Sequence, residues 1–152
     1  MAVAVIRKIS EDEVKDAIPD IETWNEHSNI LNITKYFGYG GIDWYAMFVN
    51  KREMVAVMGV SNSPSTSPFD GEKCFCTICA KPGQGYGKAM IHSMYEFFDD
   101  HHSDDLHGIG FICDPTGGEK LFNYYKTWFN ENTGWFSDKN EFGWDCFHKK
   151  FT

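Results

Sequence analysis

The stretch Ile78-Cys-Ala-Lys-Pro-Gly-Gln-Gly-Tyr-Gly-Lys-Ala-Met90 decides the fold. A β-prone run from Lys73 to Ala80 ends at Lys81-Pro82-Gly83, and from Ala89 to Phe98 the apolar residues Ile91, Met94, Tyr95 and Phe98 recur at helical spacing. A strand that passes through glycines into a helix makes an anion cradle. Glycine lets the backbone approach the anion closely, and the first helical turn offers unpaired N–H groups at the positive end of its dipole. A Walker loop would need Gly five residues before Gly87-Lys88 and a hydroxyl after it, but Pro82 and Ala89 occupy those places. A dinucleotide fingerprint would place its third glycine at Lys88 or Met90, and would open the first strand–helix unit instead of following four strands.

Working outward, Val3 to Ile9 reads as a strand, and Ser10 with Glu13 forms a capping box that starts a helix near Glu11. Pro19 is expected to end that helix at about Ile18, with a polar second piece between Asp20 and Ile33. Trp44 to Val49 and Met54 to Val60 flank Asn50-Lys-Arg-Glu53 as a hairpin, and Asn62 to Gly71 is a loop. His107 to Cys113 is a further strand. Asp114 to Gly118 is a turn, and Leu121, Tyr124, Tyr125, Trp128 and Phe129 mark one helix face. Short strands near Gly134 to Ser137 and Phe142 to Phe147 close the chain. This order predicts an α/β (α+β) fold with helices covering a single sheet.

A length of 152 residues suits one core, so 1–152 is read as a single domain. The formal charge of -8 argues against a nucleic-acid partner. The apolar opening Ala2 to Ile6 is too short for a signal peptide and no later run suits a membrane span, so a cytoplasmic protein with no membrane partner is expected. Five cysteines, an odd number, suggest reduced thiols in place of a disulfide framework. Cys74, Cys76 and Cys79 lack the paired spacing of a zinc ribbon, and alternation sends Cys76 and Cys79 to opposite strand faces, so no metal is expected.

The pattern Gln or Arg, two residues, Gly, one residue, Gly or Ala appears as Gln84-Gly-Tyr-Gly87-Lys-Ala89. In this the chain resembles the GNAT superfamily of acyl-CoA-dependent N-acetyltransferases, and the order of elements resembles theirs over most of its length. Tyr124-Tyr-Lys-Thr-Trp-Phe129 is similar to the family's Tyr, three residues, Gly-Phe motif, with Trp128 in place of Gly. The family's common Pro three residues before the Gln is Lys81 here, and its frequent Asn near the start of the last helix falls at Gly117.

The resemblance implies a mostly antiparallel mixed sheet of six to seven strands flanked by about four helices, with the fourth and fifth strands splitting apart. It implies acetyl-CoA (coenzyme A) as cofactor, its pantetheine arm pairing with the backbone of Ile78, Cys79 and Ala80. The amides of Gln84, Gly85, Tyr86, Gly87, Lys88 and Ala89 would hold the pyrophosphate, with Lys88 or Lys81 as optional help. The implied reaction is direct transfer of an acetyl group to a primary amine, from a polyamine or other small cation, or a peptide or protein. A catalytically silent acyl-CoA-binding or partner-binding module is the alternative.

Amine attack on a thioester needs a proton returned to the departing thiolate, and a phenol keeps its proton at neutral pH. Tyr124 is the candidate acid, with a core aromatic as its structural alternative, and Tyr125 is the fallback. No base declares itself: Glu72 stands only at the start of the central strand, and Asp43, Glu26, His27 and Asp114 read as surface or capping residues. His101-His102 suits the end of an acidic helix. Glu96, Asp99, Asp100, Asp104 and Asp105 read as a solvated face, or as a funnel for a cationic acceptor. Trp24, Tyr36, Tyr39, Trp44 and Trp135 are candidates for an acceptor pocket or for the face of a homodimer.

Overall fold

The computed structural model describes residues 4–24, 33–61, 69–113 and 118–152. Strand β1 (Ala4–Ile9) leads into Ser10, whose Oγ accepts from the Glu13 amide at 3.1 Å while the Glu13 carboxylate accepts from the Ser10 amide at 3.1 Å. This reciprocal cap starts helix α1 (Glu11–Glu22) where the sequence predicts it. The helix does not end at Ile18, however, but carries Pro19 inside it. Pro19 is exposed, so water can serve the carbonyl its missing N–H leaves unpaired, and the added turn buries Ile21 fully, on the same face as Val14. Most of the expected second helical piece lies outside the described residues, which resume with helical backbone at Ile33 and Thr34.

Strands β2 (Ile42–Val49) and β3 (Glu53–Ser61) form the expected hairpin, and Asn50 and Lys51 turn the chain with φ of 52° and 70°. Then follow β4 (Glu72–Ala80), α2 (Tyr86–Asp100), β5 (Gly108–Ile112), α3 (Gly118–Trp128), a 3-10 turn (Glu131–Thr133), β6 (Phe136–Lys139) and β7 (Asp145–Lys150). The last two strands begin later than the sequence suggests. Gly134 closes the 3-10 turn in a left-handed conformation, and the Asn140 side chain accepts from the amides of Phe142 and Trp144 to shape the final hairpin turn.

The sheet has seven strands in the order β1-β2-β3-β4-β5-β7-β6, mostly antiparallel, with β4 and β5 parallel. Three helices lie wholly within the described residues, against about four expected. The described residues contain no helix long and apolar enough to cross a membrane.

Two compact units make up the chain, Met1–Ser61 with Cys76–Met94 and Asn62–Phe75 with Tyr95–Thr152. In the first, Ile9, Val14, Ile21, Trp44, Val57 and Cys79 form one buried cluster. In the second, Phe111 stands at the centre of an aromatic core, its ring 5.3 to 5.6 Å from those of Phe147, Phe129, Trp135 and Tyr125.

Candidate functional site

In the first unit, β4 ends where the Lys81 amide donates to the Val55 carbonyl of β3 at 2.8 Å. Gly83 and Gly85 then take φ of +89° and +71°, a conformation that side-chain-bearing residues adopt only at a cost. Helix α2 begins at Tyr86, and the Ala89 amide closes its first turn on the Gly85 carbonyl at 3.1 Å. The amides of Tyr86 and Gly87 precede that bond and lie before the helix's own hydrogen-bond ladder begins. Gly85 brings no side chain to cap them, and the first turn carries no acidic residue, unlike that of α1 with Glu11, Asp12 and Glu13. A Cβ on Gly87 would stand 3.6 Å from the Ala80 Cβ, so the helix start lies against the end of β4. Oriented amides with no capping carboxylate suit a diphosphate, and these residues fit the pyrophosphate of coenzyme A. Lys81 Nζ is 2.9 Å from Glu53 Oε2, and this hydrogen bond and its charge hold the ammonium above its ordinary pKa.

Ile78 and Ala80 are half-buried and Cys79 is buried, on the last part of β4. The register of β4 with β5 runs from Glu72↔Gly108 to Cys74↔Gly110, although β4 continues to Ala80. Beside the candidate arm-binding residues, the Thr77 hydroxyl is buried without a hydrogen-bond partner. Buried polar atoms are seldom left so.

In the second unit, Tyr124 is 47% exposed on α3, its ring edge-on to that of Tyr125 at 5.9 Å. It is not a core aromatic. The apolar face expected of this helix divides, because Phe129 is buried and Tyr125 half-buried, whereas Tyr124 and Trp128 face solvent. Trp24, Trp44 and Trp135 are buried, contrary to the exposed role considered for them, and Tyr36 is half-buried; Tyr39 is exposed, as are Phe142 and Trp144 in the turn between β6 and β7. Glu26, His27, Asp114 and Gly117 lie outside the described residues. Asp43 is paired with Lys8 at 3.5 Å. His101 Nδ1 lies 3.1 Å from the Phe97 carbonyl near the end of α2, the capping arrangement expected there, and Asp99 accepts from the amide and hydroxyl of Thr152 at 2.8 Å each.

Glu72 is not a free base. It is 3% exposed, and its Oε1 lies 2.7 Å from Nδ1 of the buried His148, whose Nε2 lies 2.9 Å from Asp138 Oδ1. Burial alone would lower the pKa of His148, but the hydrogen bonds and charges of Glu72 and then Asp138 outweigh it and raise the value above that of an ordinary imidazole. Sequence reasoning missed this network. Its traces were a carboxylate in an apolar strand and the glycines Gly108 and Gly110 in β5, of which Gly110 leaves room for the Glu72 carboxylate, since a Cβ there would lie 3.1 Å from Oε1.

No protein-family model and no curated protein sequence matches the chain. Solved structures do match it in shape. A GNAT-family acetyltransferase from Listeria monocytogenes matches with a TM-score of 0.66 at 15% identity, over 99% of each chain. The GNAT domain of S. lividans PAT matches with a TM-score of 0.64 at 12% identity, over 98% of this chain and 96% of that one. The aminoglycoside acetyltransferase AAC(6')-Ib, solved in complex with coenzyme A, matches with a TM-score of 0.62 at 9% identity, over 97% of this chain and 95% of that one. At these identities the likeness is one of architecture, and the chain has the fold of the GNAT acetyltransferases.

Proposed function

We propose that residues 1–152 act as a single N-acetyltransferase domain, moving an acetyl group from acetyl-CoA to a primary amine by direct attack in a ternary complex. The observation that carries this reading is the passage from β4 into α2, where left-handed Gly83 and Gly85 bring the backbone into a helix whose first turn carries no acidic residue. The aminoglycoside acetyltransferase of the same fold, solved with coenzyme A, supports the choice of ligand. Bound acetyl-CoA supplies the acetyl group as a thioester. The amides from Gln84 to Lys88 would bind its pyrophosphate, the Ala89 amide being engaged by the Gly85 carbonyl, and the main chain of Ile78, Cys79 and Ala80 would bind the pantetheine arm. Tyr124 holds on Oη the proton that the departing sulfur needs, and its exposure leaves that hydroxyl able to meet a ligand. With Glu72 engaged by His148, water removes the acceptor's proton. The charge of -8 favours a cationic acceptor, such as a polyamine or a basic peptide.

The engagement of Glu72 also favours a second reading, a silent acyl-CoA-binding module. Thiol release from acetyl-CoA across polyamines, amino acids, aminoglycosides and peptides separates the two. The enzyme releases thiol with some amine, while the silent module binds coenzyme A and releases none. Tyr124→Phe is expected to lower the rate about 10²-fold or more while leaving coenzyme A affinity unchanged. Unchanged turnover removes Tyr124 from its role.

A further inference from the structure

The first unit holds a cavity of about 710 Å³, and the glycine-rich residues 83–89 do not line it. Its apolar lining includes Trp24, Phe48 and Met54, and its charges fall into two sets by element. Asp16 and Asp20 come from α1, four residues apart and so on one helix face, while Arg7 comes from β1 and Arg52 from the β2–β3 turn. The Arg7 guanidinium lies 4.2 Å from the Phe48 ring centroid. Among the described residues none of these four charges takes part in an ion pair. The other charges of the lining are engaged, Glu13 in the cap of α1 and Lys81 with Glu53.

Two carboxylates one turn apart repel each other, and the opposite charges lining the same cavity do not reach across to neutralise them. A cationic ligand would satisfy the carboxylates and meet repulsion from the arginines, and an anionic ligand would do the reverse. A molecule with an ammonium at one end, a carboxylate at the other and an apolar body between them answers both sets and the lining together. The volume falls in the range of small-molecule sites, roughly 300–1,000 Å³, with room for more than a single small amino acid. We propose that this cavity binds a zwitterion about the size of a dipeptide with apolar side chains, at a site that adjoins the coenzyme loop at Lys81 and Pro82 without including residues 83–89.

Isothermal titration of the full chain with Leu-Leu, its N-acetylated form and its C-terminal amide tests the proposal. The free dipeptide is expected to bind about fivefold more tightly than either blocked form, one exposed ion pair being worth up to about that factor. The double change Asp16→Asn and Asp20→Asn should abolish discrimination against the N-acetylated peptide. Arg52→Gln should weaken discrimination against the amide, and both variants should keep the parent's thermal midpoint because these side chains are exposed. Equal binding of the three peptides, no binding at millimolar concentration, or displacement of the dipeptide by saturating coenzyme A overturns the proposal. Failure to bind coenzyme A at all would remove the transferase reading and leave this one standing.

Discussion

Replacing Glu72 with Gln should destabilise the protein in a pH-dependent way. Glu72 and His148 side chains are 3% and 2% exposed, and both imidazole nitrogens face carboxylate oxygens, at 2.7 Å from Glu72 and 2.9 Å from Asp138. Both nitrogens can donate to these oxygens only when the ring is an imidazolium, the form that the raised pKa of His148 favours. Two unit charges about 4 Å apart at an effective dielectric of about 20 attract by about 4 kcal/mol, and breaking a buried pair costs about 3–5 kcal/mol. Glutamine keeps an acceptor oxygen, so the loss at pH 6 should sit near 3 kcal/mol, or about 6–12 °C in Tm for a chain of this size. A group whose pKa is raised on folding stabilises fully below its unfolded value, and that contribution disappears as pH rises through the folded value. The gap between parent and Glu72→Gln is therefore larger at pH 6 than at pH 9, and narrows as pH rises through the raised pKa of His148. Cys146, on the same strand as His148, does not confuse the window, because burial and then the Asp138 charge push its thiol up to about 11. Urea unfolding at both pH values measures the gap, and nitrogen chemical shifts of the His148 ring read its protonation directly. An equal gap at pH 6 and pH 9, or a neutral ring at pH 6, refutes the charge assignment.

Three further outcomes follow from local geometry. Gly110→Ala should cost more than about 2 kcal/mol in urea unfolding, because a Cβ there would lie 2.5 Å from the Phe69 ring and 3.1 Å from Glu72 Oε1. Ser10→Ala, which removes the acceptor for the Glu13 amide, should cost about 1 kcal/mol and lower Tm by about 2–4 °C, as calorimetry would show. Gly85→Ala forces a side chain into a φ of +71° and places its Cβ 3.1 Å from Lys88 Cε, so it should weaken coenzyme A binding in a titration by tenfold or more, where about 1–3 kcal/mol of strain falls on the binding loop.

The fold was legible in the sequence wherever its cause is local. A hydroxyl three residues from a carboxylate set the start of α1, and helical spacing picked out Ile91, Met94, Tyr95 and Phe98, all buried in α2. The reading failed where tertiary burial outweighs local preference. Pro19 should end a free helix, but the core's demand for Ile21 carries α1 past it. The helix face containing Tyr124 and Trp128 looked uniformly apolar, yet α3 has core on one side only and leaves both exposed. Tryptophans considered for an acceptor pocket or a dimer face lie instead in cores assembled from distant strands, Trp44 in one unit and Trp135 in the other.

The candidate site divides in the same way. The pyrophosphate loop is one continuous segment, so its glycines and the helix after them can be read from neighbours alone. The partner of Glu72 lies 76 residues away, on β7, with β5 between the two strands in the sheet. No window of sequence contains both groups. Their trace is indirect: a strand with Gly108 and Gly110 in place of bulkier residues lacks the side chains that would fill the space above it, and in a buried sheet such an omission marks a close approach by something else. At Gly110 that something is the Phe69 ring and the Glu72 carboxylate, the latter on its way to an imidazole. A carboxylate in an apolar strand beside glycines in the strand that pairs with it is thus a reason to look for a buried cation before assigning that carboxylate to catalysis.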